Sequence, residues 1–444
     1  LSVTDYHERF FSDRVRWQSW LDVEAELAGV QADLGLIPQD AARVIRSKAS
    51  LDCIDPGELK AQIEKTMAPV YAMSKVLAEA CGDAGAYVHW GATTQNIIEA
   101  GRLKVLSEFH DLLQGKLTDV LDVLAGQALA HADLIMVGRT NRQNALPITY
   151  GYKIASWIDE LLRMQQRLGE VESRFFELRF GGAIGSYQSF GAHGPEIADR
   201  LANRLGLRAS MMPSRACVDP TIEYICVLSA LGVGTSRIAD ELYLLMSEEI
   251  GEVSEVLDSD VVGSSTMPQK TNPKLVIDVR AQAALLKAKA GVAMTLPSPS
   301  HDGDAATNRE LSLLLAETCP LALTLLDRLQ NLLDHVVPVE ERMRENYLRT
   351  KALMATEALM MRLAPEIGRG QAHDLVHHAV SLAAAGKHDL LQILKSDTRV
   401  SELLSRQELD SIFANGANLG LCGTIARQNA ERILGRKLSA VSLA

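Results

Sequence analysis

The sequence predicts an all-α protein built around very long helices, and three observations carry that expectation. Leu and Ala abound while aromatic residues are only 5% of 444, a composition suited to packed helices rather than to a β-sandwich. Long segments run without proline, the first from Ile97 to Ala132; about 36 helical residues would span roughly 50 Å at 1.5 Å per residue. Alternation of apolar and polar residues, the mark of a strand, is nearly absent.

The elements follow in chain order. Residues 13 to 35 place Val15, Trp17, Trp20, Leu21, Val23, Leu27, Val30 and Leu34 at helical spacing, and Gly35 with Pro38 stops the run. Ala42 to Ser50 and Pro56 to Thr66 read as short helices. Pro69 to Gly82 reads as another, closed by Gly82-Asp83-Ala84-Gly85. The polar loop His89 to Asn96 opens the first long helix. A second is expected from Pro147 to about Phe180 and a third from Pro220 to about Val256. In the third, Leu228, Leu231, Ile238, Leu242 and Leu245 keep the 3-4 spacing of a bundle seam, with Thr235 inserted. A fourth follows Pro273 and a fifth runs from about Ala305 to Val336. Beyond Pro338 come shorter helices: Met354 to Leu363, one starting at Gly370, Glu408 to Phe413, and Thr424 to Leu434. Three domains are expected, at 1–97, 98–345 and 346–444, meeting at continuous helical joints. The remaining chain is too short to cover such helices, so their seams are expected to face other subunits.

The net charge, 45 − 56 = −11, argues against a nucleic-acid surface. An anionic substrate must then be drawn by a local patch against the overall field. Cys53, Cys81, Cys217, Cys226, Cys319 and Cys422 are scattered without a C-x-x-C pair, and read as buried thiols in a reducing compartment. The amino end has no basic segment before an apolar core, and no run approaches about 18 apolar residues. A cytoplasmic protein, without membrane or nucleic-acid partners, is the expectation.

Between the third and fourth long helices stands Gly263-Ser264-Ser265-Thr266-Met267-Pro268-Gln269-Lys270-Thr271-Asn272-Pro273. Hydroxyls, free N–H groups, the Lys270 ammonium and the Asn272 amide are groups that hold a carboxylate. Pro273 fits the first position of a helix, which would bring a positive dipole end near Lys270 and Asn272. Gly-Ser-Ser alone is ordinarily a loop capping a helix; the eleven-residue string is far more specific.

That string resembles the signature of the fumarase/aspartase superfamily, Gly-Ser-Ser-x-Met-Pro-x-Lys-x-Asn-Pro, at every fixed position. The resemblance implies a flexible flap over an active site. Ser264 would be the general base that takes a proton from a carbon next to a carboxylate, and Ser265, Met267, Lys270 and Asn272 would bind substrate. His89-x-Gly91-x-Thr93-Thr94-Gln95 is similar to the family's first active-site motif. Gly138-Arg139-Thr140-Asn141-Arg142-Gln143, with Ala145 and Pro147, is similar to the second. These imply binding roles for Thr93, Thr94, Gln95, Thr140, Asn141 and Gln143, and a substrate-side role for His89. Arg237, Glu241, Gly251, Glu252 and Glu255 would lie in the helix that delivers the flap. The wording of the first motif is most like the adenylosuccinate lyase and carboxymuconate cycloisomerase branch. The resemblance further implies three domains, a 20-helix core in a homotetramer, sites assembled from three subunits with one motif from each, and no cofactor.

Such a site must stabilise an aci-carboxylate dianion as a weakly acidic proton leaves. Ser264 serves as base only if its alkoxide is stabilised, by Lys270 and a nest of backbone N–H groups, under a closed flap. Gly263 would supply the freedom to close. The departures are as informative. The family's general-acid histidine is Asn141 here, a second histidine is Asn144, and the acidic residue after Thr-Thr-Gln is Asn96. An amide cannot protonate a leaving group. The leaving group then departs without strong acid help, another residue such as His89 supplies the proton, or catalysis has been lost. In the loop His301 to Arg309 the family's arginine is Gly303, and Arg309 is the candidate replacement. His373 and His377 have the i, i+4 spacing of metal ligands but lack a third, and no metal is expected. Gly181 to Ser186 lacks the strand and lysine of a phosphate loop; it reads as a turn between central helices.

The expected reaction is a reversible trans β-elimination from a succinyl-containing substrate that releases fumarate. A carboxymuconate-type cycloisomerase is the alternative enzyme. A non-catalytic dicarboxylate-binding or scaffold relative is the alternative of another class.

Overall fold

The structure, a computed structural model, describes residues 1–386 and 389–441. It is 70% helical. Helix α1 (Val3–Phe11) starts at a reciprocal cap between Ser2 and Asp5, and α2 (Asp13–Asp33) starts at Ser12. Then come α3 (Gln39–Lys48), α4 (Pro56–Thr66) capped by Asp55, and α5 (Pro69–Ala80). The first long helix, α6, is Thr94–Ala130. A hairpin of β1 (Ile135–Thr140) and β2 (Gln143–Thr149) leads into α7 (Tyr150–Phe175). Next are β3 (Glu177–Leu178), α8 (Gly194–Arg204), β4 (Arg208–Ala209) and α9 (Asp219–Leu245). The flap lies between β5 (Val253–Glu255) and α10 (Leu275–Thr295). The chain continues through α11 (Ala305–His335), β6 (Val336–Pro338), α12 (Glu340–Met354), α13 (Thr356–Ile367) and α14 (Arg369–Ala384). It ends with α15 (Leu390–Ser396), α16 (Thr398–Leu403), α17 (Arg406–Ile412) and α18 (Cys422–Val441).

The chain folds as two compact units. The first comprises Leu1–Thr118, Arg163–Ser236 and Ala281–Arg328; the second Asp119–Leu162, Arg237–Arg280 and Leu329–Ala444. In the first, Phe109, Leu113, Phe175, Tyr224, Leu228 and Leu286 are buried, with Phe175 stacked on Tyr224 at 4.0 Å. In the second, Leu121, Ile154, Trp157, Ile238, Leu242 and Val276 are buried. Its carboxyl-terminal helices add a cluster of their own around Leu359, Leu363, Leu375, Leu394 and Phe413.

Several boundaries differ from the expectation, each for a local reason. Helix α9 stops at Leu245 because Gly251 turns the chain at φ +63° and the next residues pair, Val253 with Pro338 and Glu255 with Val336. Gly251, Glu252 and Glu255 therefore lie beyond the helix, not in it. Helix α7 starts at Tyr150 because Pro147 belongs to β2, opposite Val137. Helix α10 starts at Leu275 rather than at Pro273. The thiols are all free, but only Cys81, Cys319 and Cys422 are buried; Cys53 is exposed and Cys217 and Cys226 are half-buried. By length and composition α9 could cross a membrane, which the sequence reading did not grant it. Its Tyr224, Ile225, Leu228, Leu231, Ile238 and Leu242 are buried inside the protein, as in a core helix.

Candidate active site

The first motif belongs to the first unit. His89 has φ +59°, and its backbone N–H and ring are both held by Glu24, with Nδ1 2.6 Å from Oε1. Glu24 is buried on α2, 2% exposed. Burial disfavours the charged ring, but the hydrogen bond and negative charge of Glu24 outweigh it, so His89 titrates above its usual range. A carboxylate behind one ring nitrogen is an acid–base arrangement, with Nδ1–H donating to Glu24. Gly91, at φ +78°, is required: a Cβ there would stand 2.6 Å from the Phe190 ring.

Thr93 is half-buried, Thr94 exposed and Gln95 buried at the start of α6. Asn96, in place of the family's acidic residue, is 1% exposed and ties the motif to residues 179–182. Its Oδ1 accepts from Thr93 N–H (3.3 Å) and Gly182 N–H (3.1 Å), and its Nδ2 donates to the Arg179 carbonyl. Asn96 is therefore a brace for the motif. The glycine-rich stretch is a turn between α7 and α8, as expected, and this bond anchors it.

The second motif is the tip of the β1–β2 hairpin, in the second unit. Thr140 pairs with Gln143, leaving Asn141 and Arg142 as a two-residue turn with φ +50° and +63°. Both positive angles belong to the tight turn that suits a twisted hairpin, where asparagine is favoured. Thr140 to Asn144 are exposed. Below the tip, Arg139 makes a bidentate pair with Glu252 at 2.8 and 2.7 Å, and Asn346 donates to the same carboxylate at 2.9 Å. Glu252 is fully buried. This pair holds the hairpin and is itself no proton donor. A cavity of about 630 Å³ opens beside it, lined by Arg142, Asn144, Lys153, Arg237, Glu241 and Arg349 among others. In it Lys153 pairs with Glu241, and Arg237 with Glu160 at 2.8 Å.

The flap also belongs to the second unit. Ser264 is half-buried, and its Oγ accepts N–H bonds from Met267 at 3.2 Å and Thr266 at 3.5 Å. Ser265, Met267 and Lys270 are exposed. The Asn272 side chain donates to the Gly263 carbonyl at 3.0 Å, so it joins the two arms of the flap. A Cβ on Gly263 would lie 2.6 Å from the Lys270 carbonyl oxygen. The glycine is thus required for close approach rather than for a special φ. The expected open helix end is also corrected: the Glu255 carboxylate caps α10, accepting from the N–H groups of Lys274 (2.7 Å), Leu275 (3.1 Å) and Val276 (2.8 Å). The positive end of α10 is already occupied by a side chain that precedes the flap. A cavity of about 320 Å³ beside it is lined by Glu255, Gly263, Thr271, Asn272 and Pro273 among others. Within this one unit, the second motif and the flap open into different cavities.

The loop before α11 places Asp304 as its cap, accepting from Ser300 and Ala306. Arg309 lies on α11 of the first unit, exposed, at the edge of a largely apolar cavity with Phe10, Phe11 and Trp20. The arginine that stands at Gly303 is instead Arg215, whose guanidinium carbon would be 3.3 Å from a Cβ there. His373 and His377 stack at 5.9 Å on α14, and among the described residues no group of three side chains could hold a metal.

Two partners escaped the sequence reading, Glu24 of His89 and Arg215 beside Gly303, and Glu255 was placed in the flap-delivering helix without its capping role. Only Glu24 left a usable signal, a carboxylate set among Trp20, Leu21, Val23 and Leu27 on an apolar helix stripe.

A family model described as lyase matches residues 4–285, and one described as adenylosuccinate lyase C-terminus matches residues 352–428. The chain is 34% identical over 428 residues to 3-carboxy-cis,cis-muconate cycloisomerase of Pseudomonas aeruginosa, covering 96% of this chain and 92% of that protein. It is 30% identical over 412 residues to N-acetyl-S-(2-succino)cysteine lyase of Enterococcus italicus, covering 93% and 90%. The crystal structure of fumarate lyase from Mesorhizobium sp. BNC1 superposes with TM-score 0.87 at 28% identity, over 97% of each chain.

Proposed function

The chain belongs to the fumarate lyase superfamily, in its adenylosuccinate lyase and cycloisomerase-like branch, and from that premise we propose a reversible trans β-elimination that releases fumarate from a succinyl-containing substrate by C–N or C–O cleavage. The observation that carries this reading is the flap serine with two N–H groups already pointed at its oxygen. An alkoxide at Ser264 would be met by those donors at once, which brings a weak base within reach of a carbon acid. Lys270 and the Thr93 and Thr94 hydroxyls would neutralise the charge that builds on the substrate carboxylate, with Gln95, Thr140, Gln143, Ser265 and Met267 around it. Asn272 would keep the flap arms together as the flap closes.

His89, backed by Glu24, is the residue best equipped to return a proton to the leaving group. Its elevated titration keeps it charged closer to neutrality, as an acid must be. Because the second motif and the flap line separate cavities, the reading calls for a homotetramer in which neighbouring subunits complete each site. It also keeps a division into segments 1–97, 98–345 and 346–444.

A second reading has its own support. Asn141 at an exposed turn offers no proton to a leaving group, which suits a cycloisomerisation in which a substrate carboxylate adds to a double bond. The two are separated by incubating the protein with succinyl amines while following fumarate absorbance, and with a carboxymuconate. Ser264→Ala should abolish whichever turnover is found and leave the oligomer, measured by light scattering, intact. An active Ser264→Ala variant removes the base assignment. Dicarboxylates that raise the melting temperature without any turnover would point to a binding protein.

A further inference from the structure

Within the first unit, His110 of α6 is 2% exposed and has no part in the chemistry above. Its ring nitrogen Nδ1 stands 3.0 Å from the hydroxyl of Tyr224, in the second turn of α9. Tyr224 is fully buried and stacks on Phe175 of α7 at 4.0 Å, while the His110 ring meets Phe176 edge-on at 5.4 Å. One imidazole and one phenol therefore join α6, α7 and α9. The other ring nitrogen of His110, Nε2, is buried and has no partner among the described residues.

One tautomer satisfies this pair best. With the ring proton on Nε2, the Tyr224 hydroxyl donates to Nδ1 and only the Nε2–H is left over. With it on Nδ1, both the hydroxyl proton and the Nε2 lone pair lack a partner. The hydroxyl keeps its proton, because burial, then Cys319, Asp111 and Glu172, push its ionisation well above the usual range. A proton added to His110 turns Nδ1 from acceptor into donor. The hydroxyl proton then has no acceptor, and a charged ring lies inside the bundle. Two carboxylates act on that ring, Glu172 of α7 and Asp111 of α6; both are exposed and neither bonds it among the described residues. From α9 comes only the phenol, and Cys319 of α11, which acts on Tyr224, is kept neutral by burial. Burial holds the His110 ring below its usual titration range, and the two carboxylates offset that only in part.

We propose that the His110–Tyr224 contact is an acid-release catch: protonation of the buried imidazole reverses its one hydrogen bond and loosens α9 on α6 and α7. A histidine kept neutral by the fold contributes stability that is fully present above its unfolded value of about 6.5. That stability is lost as pH falls towards the depressed native value. His89 of the same unit has the opposite sign, since Glu24 raises its titration and its contribution fades as pH rises. Two histidines thus bracket the unit that carries the first motif, and their summed contribution is greatest near about pH 6.5.

Amide hydrogen exchange on the full chain, corrected for the intrinsic effect of pH, tests this. In the wild type the amides of Tyr224, Ile225 and Leu228 should lose protection as pH falls below about 6.5, by up to about tenfold per pH unit, the slope of one proton taken up on opening. In His110→Gln, whose side-chain carbonyl can accept from Tyr224 but does not titrate, protection at those amides should stay constant over the same range. The ring of His110 in the wild type should titrate below about 6.5 by NMR, a readout that does not depend on the variant folding. A ring that titrates at or above that value overturns the catch. So does acid loss of protection in His110→Gln that matches the wild type.

Discussion

Replacing Glu255 by alanine should loosen the base of the flap without unfolding the protein. The carboxylate sits in β5, before the flap, and accepts three N–H groups of the first turn of α10, after it. Losing a side-chain cap costs about 0.5–2 kcal/mol, and losing a negative charge at a helix N-terminus about 0.3–1 kcal/mol more. A combined loss of about 2 kcal/mol corresponds to roughly 30-fold in the local opening equilibrium, at about 1.4 kcal/mol per decade. Amide hydrogen exchange at Lys274, Leu275 and Val276 should therefore quicken about 30-fold, with the buried core amides of α10 near Val279 and Ala283 unaffected. Glu255→Gln, which keeps an acceptor oxygen but no charge, should fall between. In a turnover assay the same variants should lose kcat/KM in the same order, because the flap arms would no longer be registered across their base. Unchanged exchange at those three amides in Glu255→Ala would refute the clasp and, with it, the statement that the end of α10 is unavailable to substrate.

Other consequences can be measured independently. The His89 ring of the native protein should titrate above its usual 6.5 by NMR, and in Glu24→Gln below it, because only burial then acts. By linkage, the stability gained from the Glu24–His89 pair is fully present below about pH 6.5 and is lost as pH rises through the elevated native value of His89. The melting-temperature gap between wild type and Glu24→Gln should accordingly shrink towards alkaline pH. Arg142→Gly should stabilise the hairpin by about 1 kcal/mol, since φ +63° is strained for arginine and free for glycine. Asn141→Val should destabilise it by a similar amount, both read from denaturant midpoints. Arg139→Met strands the buried Glu252 charge and should cost about 3 kcal/mol, most of it regained in the double variant with Glu252→Gln.

Helix type and position were legible along most of the chain because a 3-4 apolar spacing repeated over 20 or more residues leaves few alternatives. The ends were less so. The apolar pattern of α9 runs on in the sequence past Leu245, where the helix stops, to the turn at Gly251, and α7 was read from Pro147, which instead lies in a strand. Short elements such as α1 and α8 were missed, since two or three turns carry too few periodic positions to stand out.

The residues of the site divide in the same way. The amino-acid order alone determined the family and the positions of the flap serine, the lysine and the threonine pair, because those residue types must recur at fixed spacing for the chemistry to exist. Only the tertiary structure decided who holds whom. Glu24 reaches His89 across 65 positions, Arg215 packs on Gly303 from a distant loop, and Glu255 closes the flap from its far side. Contacts between segments remote in sequence leave no local spacing to read. They arise from packing, which fixes distances the order of residues does not carry.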